Sequence, residues 1–118
     1  MCGIVAYIGT RPAAGLLVEG LKRLEYRGYD SAGIAVLGSR GLVVERAVGR
    51  VANLEAKLES ATGFDGSVGI AHTRWATHGG VTEANCHPHT DDSAGICIVH
   101  NGIIENYAAL RTWLEERG

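Results

Sequence analysis

Apolar and polar positions along the chain follow two periods, one of strands and one of helices. Gly3 to Ile8 is an almost unbroken apolar run closed by Gly9, which predicts a buried strand. Pro12 suits the first turn of a helix. Leu17, Leu21 and Leu24 then recur at helical spacing, with Lys22, Arg23 and Glu25 between them. The stretch Arg27-Gly28-Tyr29-Asp30 breaks that pattern. Ile34 to Leu37 and Leu42 to Ala47 are apolar and β-branched, and the Gly-Ser-Arg-Gly between them predicts a hairpin turn. Val51, Leu54 and Leu58 mark a short amphipathic helix. Ser67 to Ala71 and Ile96 to Val99 predict two further strands. Asn106 is placed to cap a last helix with Tyr107, Leu110 and Leu114 on one face and Gly118 as its stop. Strands and helices mix without strict βαβ alternation, so the expected class is α+β.

Bulk properties narrow the function classes. A chain of 118 residues is one domain or part of one. A hydrophobic fraction of 46% and a charged fraction of 20% fit a globular protein. The formal charge of −2 offers no footprint for nucleic acid or an anionic membrane. No apolar run approaches the ~20 residues that span a bilayer, and the N-terminus lacks the basic and apolar regions of a secretory signal. Three cysteines, an odd number without a paired framework, favour a reducing, cytoplasmic setting. Seventeen glycines, many beside polar residues, imply tight turns and backbone lying close to a ligand.

Three polar stretches at predicted strand ends carry the candidate chemistry: Glu25 to Gly33, Ala71 to Gly80, and His100 to Gly102. Taken singly, each residue has an ordinary reading. Arg74 fits a surface ion pair, Asn101-Gly102 a turn and Trp75 a core side chain. Asp30 and Ser31 fit a turn cap, and Cys97 inert packing in a strand. A metal reading gathers His72, His78, Cys86, His87 and His89. Its spacing is poor, because Cys86 and His87 are adjacent, Pro88 stiffens the segment and no second cysteine pair exists. Hydrogen bonding within a loop is the expected role of His87 and His89, and neither metal nor organic cofactor is expected.

Taken together, the stretches fit a nucleophile, an oxyanion hole and a carboxylate clamp. Cys2 is small enough for initiator methionine to be removed before it. Its thiol would then share a carbon with a free α-amine of reference pKa about 7.7–8.0, able to take the thiol proton directly or through water. A thiolate is the competent nucleophile. Asn101 can offer its side-chain amide and Gly102 its backbone N–H to an oxyanion. Arg74 can hold a carboxylate through two parallel hydrogen bonds, aided by the hydroxyls of Thr73 and Thr77.

The segments MCGIV, LEYRGYDSAGIAV, HTRWATHG, HPH and HNGIIEN, in that order and across nearly all of the chain, resemble the class II glutamine amidotransferases, which are N-terminal-nucleophile hydrolases. YRGYDSAG and HTRWATHG resemble the branch that passes ammonia to fructose 6-phosphate. The amidophosphoribosyltransferase branch, with forms nearer HRGQDSAG and RYSTAG, is the alternative, and a non-catalytic metal-binding fragment a further one. The resemblance implies a four-layer αββα sandwich. It implies that Cys2 is the nucleophile, that Asn101 and Gly102 form the oxyanion hole, and that Arg74 binds the glutamine α-carboxylate. It places Trp75, Thr77 and His78 in the glutamine-binding loop and Arg27 near the nucleophile. Cys86 departs from it, standing where the family pattern has Ala. The family also uses a later acidic residue for the substrate α-amine, later strands, and sugar-isomerase domains. Residues 1–118 are therefore expected to be the N-terminal portion, about the first half, of a glutaminase domain, weakly active or inactive alone. The complete enzyme is expected to be a homodimer acting on glutamine and fructose 6-phosphate.

Overall fold

The computed structural model describes residues 1–118. Strand β1 (Gly3–Ile8) leads through Pro12 into helix α1 (Ala13–Leu24) and a single 3-10 turn (Glu25–Arg27). Strands β2 (Ser31–Gly38) and β3 (Gly41–Val48) form a hairpin, and helix α2 (Val51–Ser60) and strand β4 (Val68–Arg74) follow. Beyond them lie the short strands β5 (His89–Thr90) and β6 (Cys97–Ile98) and helix α3 (Tyr107–Glu115).

The main sheet has the order β1-β4-β2-β3, every pair antiparallel. Since side chains alternate across a strand, each face can be read from the register. Val5, Ala71 and Ile34 share one row, and Tyr7, Gly69 and Val36 another. These rows meet α1 and α2 in a core of Ala13, Leu17, Val18, Leu21, Ala32, Ile34, Val36, Ala47, Val51, Leu54 and Ala71. The apolar stripe of α1 is thus the one its spacing predicts. Truncating Leu17 or Leu21, both fully buried, would cost about 2–5 kcal/mol.

The opposite face carries Ile4, His72, Gly33 and Arg46 in one row and pairs Ser31 with Arg74 in another. The 86–89 segment crosses this face so closely that a Cβ on Gly33 would collide with the His87 carbonyl. Only glycine allows that approach. The β5–β6 ribbon lies on this side too, with Cys97 beside Ala35 and Ile70 around one small hollow. The fold is α+β, with a helix layer on one face of an antiparallel sheet and the start of further β structure on the other.

Three expectations change. The strand expected at Ser67 to Ala71 runs on to Arg74, and the strand expected at Ile96 to Val99 shortens to Cys97–Ile98. Asn106 precedes α3, but its side chain makes no capping bond. An unforeseen cap serves α2 instead: Glu25 Oε1 accepts the Val51 N–H at 2.7 Å, which satisfies one orphan donor of the first turn.

Candidate active site

Cys2 stands just before β1, and the ladder that pairs Gly3 with Thr73 carries it alongside the end of β4. Its Sγ accepts the Trp75 N–H at 3.3 Å, and the thiol donates to the Trp75 carbonyl at 3.6 Å. This places the sulfur at the mouth of a cleft of about 290 Å³. Cys2, Arg74, Trp75, Thr77, His78 and Gly102 all line it, together with His72, His100 and Tyr107. The cleft is open, its lining both polar and apolar, with room for an amino-acid-sized ligand. Three expected residues do not line it. Thr73 is turned to the helix side of the sheet, its Oγ1 buried without a partner. Arg27 lies beside the N-terminus, its Nη2 4.0 Å from Met1 Sδ and its Nε buried without a partner. Asn101 is bonded to a residue that does line it, His72, whose Nε2 is 2.6 Å from Asn101 Oδ1.

The 75–80 loop is tied down at several points. Asp30 Oδ2 accepts the Ala76 N–H at 2.6 Å, and the Asp30 N–H donates to the Arg74 carbonyl at 3.0 Å. The Arg74 guanidinium donates to the carbonyls of His78 at 2.5 Å and Gly80 at 3.0 Å. Asn85 Nδ2 donates to the same Gly80 carbonyl at 3.1 Å. Arg74 is 92% buried in the sense that only 8% of it is exposed, and no carboxylate of the chain pairs with it. A guanidinium has five N–H donors, so three remain for a ligand. The surface ion pair is therefore not formed, and Arg74 both supports the loop and faces the cleft. Trp75 is 42% exposed and packs its ring against the edge of Tyr29 at 5.3 Å, so it is not a core side chain. Asp30 holds the facing loop rather than capping its own turn.

Histidines form the floor. The rings of His72 and His87 are 4.4 Å apart, as are those of His87 and His89. Burial holds all three below the ordinary imidazole value. His87 is pushed down to about 4, first by burial and then by the charges that His72, His89, Arg74 and His100 would present. The His100 N–H donates to His87 Nδ1 at 3.4 Å. No three His, Cys, Asp or Glu side chains converge on a point that could seat a cation. Burial raises the Cys97 thiol, which fits a packing role.

The roles of His72 and Asp30 were not legible beforehand, because their partners are 29 and 46 residues away. The only sequence signal for either was a polar residue inside or beside an otherwise apolar strand.

No protein-family model matches the chain. Whole-chain similarity to individual proteins is high. The chain is 62% identical over 118 residues to the glutamine–fructose-6-phosphate aminotransferase [isomerizing] of Gloeobacter violaceus, covering 100% of this chain and 19% of that protein. It is 56% identical over 124 residues to the protein of the same name from Mycolicibacterium smegmatis, covering 100% of this chain and 20% of that one. The chain thus spans about a fifth of the length of the curated relatives it matches. Among solved structures, it superposes with a TM-score of 0.80 and 24% identity on glutamine phosphoribosylpyrophosphate amidotransferase from B. subtilis, complexed with ADP and GMP, over 100% of this chain and 25% of that one. A second, described as the allosteric regulatory enzyme of purine biosynthesis, gives 0.84 and 26%, over 100% of this chain and 26% of that one.

Proposed function

Since the chain belongs with the class II glutamine amidotransferases, we propose that residues 1–118 are the front of a glutaminase domain whose parent enzyme makes glucosamine 6-phosphate from fructose 6-phosphate. The observation that carries this reading is the Cys2 sulfur, held by the Trp75 N–H at the mouth of a cleft that Arg74 also lines. Likeness to the phosphoribosylpyrophosphate enzymes supports the fold, whereas 62% identity to a fructose-6-phosphate enzyme supports the choice of acceptor.

In this reading Met1 is removed, and the new α-amine takes the Cys2 proton. The sulfur attacks the γ-carboxamide carbon of glutamine. Asn101 Nδ2 and the Gly102 N–H receive the oxyanion. The C–N bond breaks, the amine returns the proton to the leaving nitrogen, and ammonia departs from a γ-glutamyl thioester. Water then cleaves the thioester to glutamate and restores the thiol. The three unused N–H groups of Arg74 bind the α-carboxylate. Trp75, Thr77 and His78 wall the substrate from the loop, and removal of Met1 frees Arg27, which lies beside it, to face the substrate side of the new N-terminus. Ammonia reaches fructose 6-phosphate at residues beyond these. The three free thiols suit a cytoplasmic setting.

The test uses the full-length protein. Cys2→Ala should abolish glutamine hydrolysis while use of added ammonia continues, and intact-mass spectrometry of the active wild type should show Met1 absent. Wild-type turnover in Cys2→Ala, an equal loss in a well-folded Cys97→Ala, or an active protein that uniformly keeps Met1 would overturn the reading.

A further inference from the structure

We propose that His72 is a positioning residue: through Nε2–H it grips Asn101 Oδ1 and so fixes the side-chain amide that receives the oxyanion. The inference rests on the reading of Asn101 just given and goes beyond it, because His72 itself need not touch the substrate.

Protonation follows from counting donors and acceptors. Asn101 Oδ1 can only accept, so a bond at 2.6 Å to His72 Nε2 requires a proton on that nitrogen. Nδ1 is then a bare lone pair. It is buried and has no partner, and folded chains leave a buried acceptor unpaired more readily than a buried N–H. Turning the amide round would move the ring proton to Nδ1 and leave a buried N–H with no acceptor. Charging the ring would leave the same orphan N–H, now cationic and near Arg74. One arrangement survives: a neutral, Nε2-protonated His72 and an Asn101 amide whose two Nδ2 hydrogens meet no acceptor of the chain.

The surroundings enforce that state. His72 is 1% exposed and lies mid-face on β4, in the row that also holds Ile4, Gly33 and Arg46. Its ring meets that of His87, which takes the His100 N–H on Nδ1. Two contacting imidazoles therefore hold consecutive residues of one turn, His87 at the His100 backbone and His72 at the Asn101 side chain. Gly102 follows at φ +138°, where glycine is favoured, and lines the cleft. The charged and titratable groups around His72 are Arg74, His87 and His89, with His100 beyond His87. None is a carboxylate that would draw a proton onto the ring.

Two variants of equal length separate the hydrogen bond from the packing. His72→Gln keeps an N–H near the Nε2 position, and His72→Met fills similar space without a donor. Glutamine hydrolysis would be measured in the full-length protein for both, for Asn101→Ala, and for His72→Met combined with Asn101→Ala. His72→Met should lower kcat about tenfold to a hundredfold with KM within about threefold. His72→Gln should recover most of that loss. In the Asn101→Ala background His72→Met should cost nothing further, since its effect runs through the missing amide. Equal kcat for the Gln and Met variants, a loss confined to KM, or full multiplication of the two losses would overturn the inference. Should both variants fail to fold, 15N-histidine spectra of the wild type decide: a neutral Nε2–H form at His72 supports the proposal, and an Nδ1–H or cationic form sinks it. Wild-type kcat in Asn101→Ala would instead refute the oxyanion reading itself.

Discussion

Gly33→Ala is the sharpest single test of how the sheet supports the site. The new methyl would lie against the His87 carbonyl oxygen, 3.0 Å from Arg46 Cγ and 3.1 Å from the Glu45 carbonyl. β2 cannot retreat, because its other face packs on α1 and α2 through Ala32, Ile34 and Val36. The 86–89 segment must lift instead, taking His87 off His72 and off the His100 N–H. Overpacking of this kind costs about 1–3 kcal/mol. For a domain of this size 1 kcal/mol moves Tm by about 3–6 °C, so a fall of about 5–15 °C is expected. If the 100–102 turn moves by even an ångström, kcat should drop about a hundredfold. The control is Gly15→Ala, a helical glycine with nothing within 4 Å of its added methyl. That change should raise stability by up to about 1 kcal/mol and leave kcat alone. Thermal melts and glutaminase kinetics on both variants provide the comparison. A Gly33→Ala protein with wild-type Tm and kcat would refute the claim that the His87 backbone is pressed onto the sheet.

Arg74→Ala should raise the KM for glutamine about tenfold to a hundredfold, the range for losing a hydrogen bond to a charged group. It should also loosen the 75–80 loop, seen as faster amide exchange there. Asn101→Ala should instead lower kcat about a hundred- to a thousandfold with KM little changed. A reversed pattern in steady-state kinetics would contradict both assignments. Stability should fall as pH drops from about 6.5 toward 4, because the unfolded chain binds protons at its histidines before folded His87, held at about 4, does. His87→Phe should flatten the melting profile across that window, and an unchanged slope would reject the histidine cluster as its source.

Elements with a clean period were legible in the sequence. The Leu17 and Leu21 spacing of α1 depends on one burial face, and local pattern records that. The apolar run of β1 reads correctly as a strand but not as a buried one: it lies at the sheet edge, with Ile4 and Ile8 exposed. The end of β4 was not legible, because His72, Thr73 and Arg74 are polar and read as loop. They stay in the ladder because each is buried in a different way: Arg74 bonds the carbonyls of His78 and Gly80, His72 bonds Asn101, and Thr73 turns to the helix side of the sheet. Trp75 misleads in the opposite sense, as an apolar ring left beside a cleft. Which residues the fold gathers near Cys2 was legible only through the combination of motifs. Arg74 as a prop for its own loop, Asp30 as the anchor of Ala76 and His72 as the holder of Asn101 all arise from contacts between distant segments, which no local pattern encodes.

The pairing of Gly3 with Thr73 also sets an order of events during synthesis. Among residues 1–118 the N-terminal strand pairs only with β4, so it cannot join this sheet until about seventy more residues have been made. At ribosomal speeds of about 5–20 residues per second, that is roughly 4–14 seconds. Until then no strand ladder holds the first peptide bond, and on the proposed reading this is when an aminopeptidase reaches it. Once β4 arrives, Cys2 is drawn against Trp75 and the bond comes to lie beside Arg27. On the reading proposed above, the topology therefore places removal of Met1 before assembly of the cleft.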